Sequence, residues 1–168
     1  MRARFALVAL IVVLVALIAF NYYSFMPKGI VTASVVEKSE GMLLKFERIR
    51  YTSRALVAGP ESEDIGFDIG NNELNFGLIP AGGGGSRFLD VGNSGDTLVK
   101  IKMSAHGNIS RFITFGTNDF ILQPGQAREI EISFSTSIDT EEGEYTGEID
   151  VTKITSKISI ADGLLGWM

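Results

Sequence analysis

The sequence predicts an all-β fold, an antiparallel β-sandwich of about seven strands, carried on one N-terminal transmembrane helix. Three observations lead there. Phe5–Phe20 is sixteen residues of Ala, Val, Leu, Ile and Phe, with no charge, Gly or Pro. After Pro27, apolar and polar residues alternate at period two in several short stretches, the mark of strands with one buried face. Gly, Pro, Asn and Asp fall between those stretches at roughly ten-residue spacing, where turns belong.

The anchor comes first. As a helix, Phe5–Phe20 rises about 24 Å, and with Tyr22, Tyr23, Phe25 and Met26 it reaches about 33 Å, enough for a hydrocarbon core of about 30 Å. Arg2, Arg4 and the α-amine precede the run, and Lys28 is the first basic residue after it. Positive charge is retained on the cytoplasmic side, so the N-terminus is expected inside and the body outside. A cleaved secretory signal would need a shorter apolar run and a small-x-small site. Ala19-Phe20-Asn21-Tyr22 offers no clean one. The expectation is an uncleaved, single-pass signal anchor over residues 1–27 that meets membrane lipid through residues 5–26.

Composition bounds the rest. The chain has 168 residues. Beyond the anchor there is room for one domain and a connecting region. A net charge of −5 argues against nucleic acid, whose phosphates need clustered Lys and Arg. There is no cysteine, so disulfides and thiolate metal sites are excluded and an exported domain must hold itself by its core.

Residues 28–70 read as a membrane-proximal, β-rich connecting region. Ile30–Val36 is rich in β-branched residues and is expected as a strand. In Gly41–Tyr51, Met42, Leu44 and Phe46 alternate as in a strand, and then the phase slips to Ile49 and Tyr51. Met42, Phe46 and Ile49 fit a helix face equally; a strand with a bulge is the reading taken. Ala58–Asp64 is a polar loop and the expected boundary. Residues 71–155 are the sandwich. Leu74 and Phe76 begin it, closed by Gly77 and Pro80. Ala81–Ser86, with four consecutive glycines, is expected as a turn, and Arg87–Asn93 as the next strand. In Leu98–Ala105, Val99, Ile101, Met103 and Ala105 alternate with Lys100, Lys102 and Ser104, the pattern of a half-buried antiparallel strand. Phe112–Phe115 and Phe120–Leu122 are short apolar pieces. Ile130, Ile132 and Phe134 alternate with Glu and Ser. Tyr145, Ile149 and Val151 alternate with Thr146, Glu148, Asp150 and Thr152. Residues 156–168 form an apolar tail.

The span from about Asn72 to Ile154 resembles immunoglobulin-like domains of the ASPM–SPD-2–Hydin and major-sperm-protein (PapD-like) type. The residues that carry the resemblance are Leu74-Asn75-Phe76-Gly77, Val91-Gly92-Asn93-Ser94-Gly95, Phe120-Ile121-Leu122-Gln123-Pro124-Gly125 and Gly143-Glu144-Tyr145-Thr146-Gly147-Glu148-Ile149, in that order. It implies an immunoglobulin-like sandwich in which Phe76 and Tyr145 are structural, with the Tyr145 hydroxyl bonding back to the backbone at a corner. A membrane helix followed by such a sandwich also resembles archaeal cell-surface proteins, including stator-like components of the archaellum. The resemblance implies a binding or scaffolding module rather than a catalyst.

The chemistry-bearing residues point the same way. His106 is the only histidine, lies at an expected turn and has no nucleophile signature beside it, so no catalytic residue is assigned. Gly82–Gly85 leads to Ser86-Arg87-Phe88 and not to the Gly-Lys-Ser/Thr of a phosphate loop. Glu61, Glu63, Asp64 and Asp68, and Asp139, Glu141, Glu142 and Glu144, are acidic clusters without the spacing of a calcium loop. No cofactor or metal is therefore assigned. Asn108-Ile109-Ser110 is the one glycosylation sequon. Leu164, Leu165 and Trp167 in the tail either pack on their own domain or contact a partner. The expected role is a membrane-anchored, extracytoplasmic structural or protein-binding module of the cell envelope, bound to another envelope protein or to itself. A filament or archaellum-stator-like subunit is the first alternative. A ligand-binding sensor or enzyme accessory domain is the second, and it would need a pocket with convergent polar groups.

Overall fold

The computed structural model describes residues 11–13, 15–17, 19–20, 29–30, 33–41, 43–59, 73–157 and 165–166. Among them are nine strands: β1 (Val35–Glu40), β2 (Leu44–Ala58), β3 (Gly77–Pro80), β4 (Gly84–Gly92), β5 (Val99–Gly107), β6 (Ile113–Phe115), β7 (Phe120–Leu122), β8 (Ala127–Ser135) and β9 (Gly143–Ser156). They form two sheets. The larger runs β1-β2-β9-β5-β7, with β3 beside β2; the smaller runs β4-β8-β6. Every pairing is antiparallel except β2 with β3.

The period-two patterns explain why the sheets face each other. Ile101 and Met103 of β5, Ile149 and Val151 of β9, and Ala55 and Val57 of β2 turn one face of the large sheet inward. Ile130, Ile132 and Phe134 of β8 meet them from the small sheet, and together they build the core, as in a β-sandwich. Phe76 is buried at its centre with its ring 5.4 Å from that of Phe134. Each large side chain so buried contributes roughly 1.5–3 kcal/mol. The face assignment is testable. Met103→Lys should cost on the order of 3–5 kcal/mol, because it puts an unpaired charge in the core. Lys102→Met, on the opposite face, should stay within about 1 kcal/mol. Equal melting temperatures for the two variants would overturn the assignment.

β2 lies in the span read from the sequence as a connecting region, yet it is bonded into the large sheet along its whole length. It pairs with β9 from Leu44 opposite Ser156 to Val57 opposite Gly143, in one unbroken register. The phase slip in its sequence is therefore not a bulge. The strand buries both faces at different points. Leu44 and Phe46 pack outward against Ile154 and Leu165, while Ser53, Ala55 and Val57 are buried on the inner face.

Other turns and strands shift by a few residues. The glycine run is only partly a turn: Ala81 and Gly82 turn the chain, and Gly84 already pairs with Ser135 at the start of β4. Leu74 and Phe76 precede β3, but their N–H groups donate to Thr52 and Arg54 of β2 at 3.0 and 2.8 Å, which lines the segment up for pairing. Asn93 holds the turn after β4. Its Nδ2 donates to the carbonyls of Thr97 and Leu122, and its Oδ1 accepts from Gly95 N–H.

The expected anchor falls largely outside the described residues. Residues 11–13, 15–17 and 19–20 are helical and exposed. Among the described residues no helix is long and apolar enough to cross a membrane.

Candidate functional site

The outer face of the large sheet, turned away from the core, carries the chemistry. In β2, β9 and β5 the even-numbered residues point there. Register sets them in rows across the sheet: Arg48, Thr152, Lys102; then Arg50, Asp150, Ser104; then Thr52, Glu148, His106. Glu37 of β1 stands opposite Arg48. An outer sheet face is ordinarily solvated, but this one is covered. Arg48, Arg50, Glu148 and Asp150 are all buried. Arg50 donates to the Gly29 carbonyl, so the segment before β1 lies over the cluster.

Arg50 is the hub. Its Nη2 donates to both Glu148 oxygens at 2.7 and 2.9 Å, and its Nη1 to Glu37 at 2.8 Å. Burial opposes its charge, and the Glu148 and Glu37 carboxylates outweigh that, holding the guanidinium above its usual range. Arg48 donates from Nε to Thr152 Oγ1 at 3.3 Å and lies 3.7 Å from Asp150. Asp150 is 0% exposed, and neither of its carboxylate oxygens has a hydrogen bond. Burial first, and then the neighbouring Glu148 charge, push its pKa up to about 6, while Arg48, His106 and Arg50 pull it down. His106 Nε2 lies 3.1 Å from Ser104 Oγ and 3.7 Å from Asp150 Oδ2. Its ring is 39% exposed, so the cluster opens to solvent on that side. A cleft of about 420 Å³ adjoins it, lined by Ile30, Thr52, Arg54, Glu73, Asn75 and Thr146 among others.

The residues singled out from the sequence are scattered. His106 is not at a turn but on β5, within the cluster. Asn108 is exposed, and its Oδ1 accepts from Thr146 N–H at 2.6 Å. Leu165 is buried against Leu44, Phe46 and Ile154 of its own chain. Leu164 and Trp167 lie outside the described residues, as do Glu61, Glu63, Asp64 and Asp68. Asp139, Glu141, Glu142 and Glu144 are mostly exposed and do not converge; among the described residues only His106, Glu148 and Asp150 do so in a group of three. Arg48, Arg50, Glu148 and Asp150 carry a sequence signal as a set. Two arginines at period two on one strand match two carboxylates at period two on another.

Tyr145 is buried at the start of β9. Its hydroxyl donates to the Glu141 carbonyl at 2.8 Å, and its ring meets that of Phe112 edge-on at 4.9 Å. Tyr145→Phe keeps the ring contact and removes one hydrogen bond to a carbonyl of an exposed residue, so a loss of about 1 kcal/mol is expected. A denaturation curve indistinguishable from that of the parent protein would show that the bond contributes nothing.

Comparison of the chain with protein-family models, curated proteins and solved structures finds no match.

Proposed function

We propose that this chain is a membrane-anchored, extracytoplasmic module that holds or binds another protein of the cell envelope. One observation carries the reading. Ile11, Val12, Val13, Val15, Leu17 and Phe20 are helical, yet 49–71% exposed. Water disfavours such surface by about 25 cal/mol per Å², whereas lipid does not. The uncharged run around these residues and the basic residues before it fit a single-pass anchor with the body outside. The ordered motifs from Leu74 to Ile149 support an immunoglobulin-like type for the sandwich. A binding role is supported by β1, an edge strand with no further strand partner among the described residues and with Val35 and Val36 exposed. Such an edge accepts an added strand.

The test uses the full chain in its own membranes. It should stay in the pellet through an alkaline wash, and protease added to intact cells should remove the sandwich. Release by the wash would overturn the anchor; protection from protease would overturn the orientation. Crosslinking in intact membranes should then capture one envelope protein reproducibly. Ladders made only of this chain would favour the filament subunit instead.

A further inference from the structure

The geometry points to a binding site for one divalent transition-metal cation, of the zinc type, formed by His106, Glu148 and Asp150 on the outer face of the large sheet. This is independent of how the chain is anchored. His106 of β5 stands directly opposite Glu148 of β9, and Asp150 is two residues further along the same face. One ligand atom from each lies within 4.8 Å of the others. A tetrahedral site with bonds of about 2.0–2.1 Å needs ligand atoms about 3.3 Å apart. The 3.7 Å between His106 Nε2 and Asp150 Oδ2 is already near that. Binding requires the remaining gap to close by side-chain rotation.

A convergence of acidic groups alone would be a solvated patch, and the state of Asp150 separates this one. Asp150 is wholly buried, both its oxygens lack a hydrogen bond, and Oδ2 lies 3.7 Å from His106 Nε2. A buried carboxylate in that condition is costly unless something compensates it. Its two arginines stand 3.7 and 3.8 Å away, beyond hydrogen-bonding distance.

The donor set names the class. One imidazole nitrogen with two carboxylate oxygens suits zinc and its neighbours, whereas calcium and magnesium take oxygen alone. Arg50 would act from outside the coordination sphere. Its bonds to Glu148 fix that carboxylate's direction. The exposed edge of His106 is the way in, and a water would complete four-coordination.

The experiment is a zinc titration of the full chain in detergent, stripped first with a chelator and read by competition with a chromophoric zinc indicator. Binding of one Zn²⁺ per chain is expected, together with a rise in melting temperature. His106→Ala removes a partly exposed ring and should fold; it should weaken binding at least tenfold and abolish the rise. Asp150→Asn should weaken binding similarly where it folds. Zinc binding of equal strength in His106→Ala, no binding in the parent protein, or a response to Ca²⁺ matching that to Zn²⁺ would each overturn the site.

Discussion

Arg50→Ala is expected to lower stability by about 3–5 kcal/mol, a large share of the roughly 5–15 kcal/mol that holds a domain folded. The loss comes less from the bonds removed than from what they leave behind. Glu148 and Asp150 are 1% and 0% exposed, and without the guanidinium both carboxylates stay buried without its positive charge. Arg50→Lys should recover part of the loss. It restores a positive charge but cannot reach Glu148 and Glu37 at once from a fork. The double variant with Glu148→Ala should fall short of the summed single losses, because each single change strands the other's charge. Lys38→Ala is the contrast: its pair with Glu47 at 3.5 Å is exposed on both sides and should be worth less than about 1 kcal/mol. Chemical denaturation of these five variants, the Glu148→Ala single included, decides. An Arg50→Ala loss as small as that of Lys38→Ala would mean that the outer face is solvated.

That contrast also marks how far the sequence can be read. β5, β8 and β9 are legible because each buries one clean face, and alternation at period two is then unambiguous. β2 is not, because it changes the face it buries partway along. Leu44 and Phe46 go one way and Ala55 and Val57 the other, so a strand of regular register imitates a bulge or a helix. Placing it in a connecting region follows from the same ambiguity. The cluster was hidden for a related reason. Glu148, Asp150 and Lys100 sit on faces that look solvated in each strand alone. Their burial depends on covers distant in sequence, Gly29 over Arg50 and Leu165 over Phe46 and Ile154. Lys100 shows the same thing at the far end of β5, where it is buried and meets Asp119 at 2.6 Å. No local pattern encodes a cover that arrives from elsewhere in the chain.

Gly147→Ala should be among the most damaging single substitutions, at about 3 kcal/mol or more, although it adds one methyl group. Gly147 of β9 stands opposite Gly107 of β5, and the backbone of each strand leaves no room for a Cβ on the glycine of the other. A Cβ at 147 would overlap the His106 carbonyl and come within 2.7 Å of Ile109 Cγ2. Neither obstacle yields easily. The first is the backbone of a residue paired in the β5–β9 ladder, and Ile109 is fully buried in the core. Gly107 is constrained from the other side. Its φ is +90, and a Cβ there would lie 2.6 Å from the Thr146 carbonyl oxygen. Relief would have to come from spreading β5 away from β9, which moves His106 from Glu148 and pulls apart the outer-face cluster as well as the core. Stability and zinc affinity should therefore fall together in Gly147→Ala. Gly92→Ala is the control, since its nearest neighbour would be an ordinary 3.7 Å away, and it should stay within about 1 kcal/mol. Matching denaturation midpoints for the two alanine variants would show that β5 and β9 have slack at this crossing and that the close approach does not hold the site.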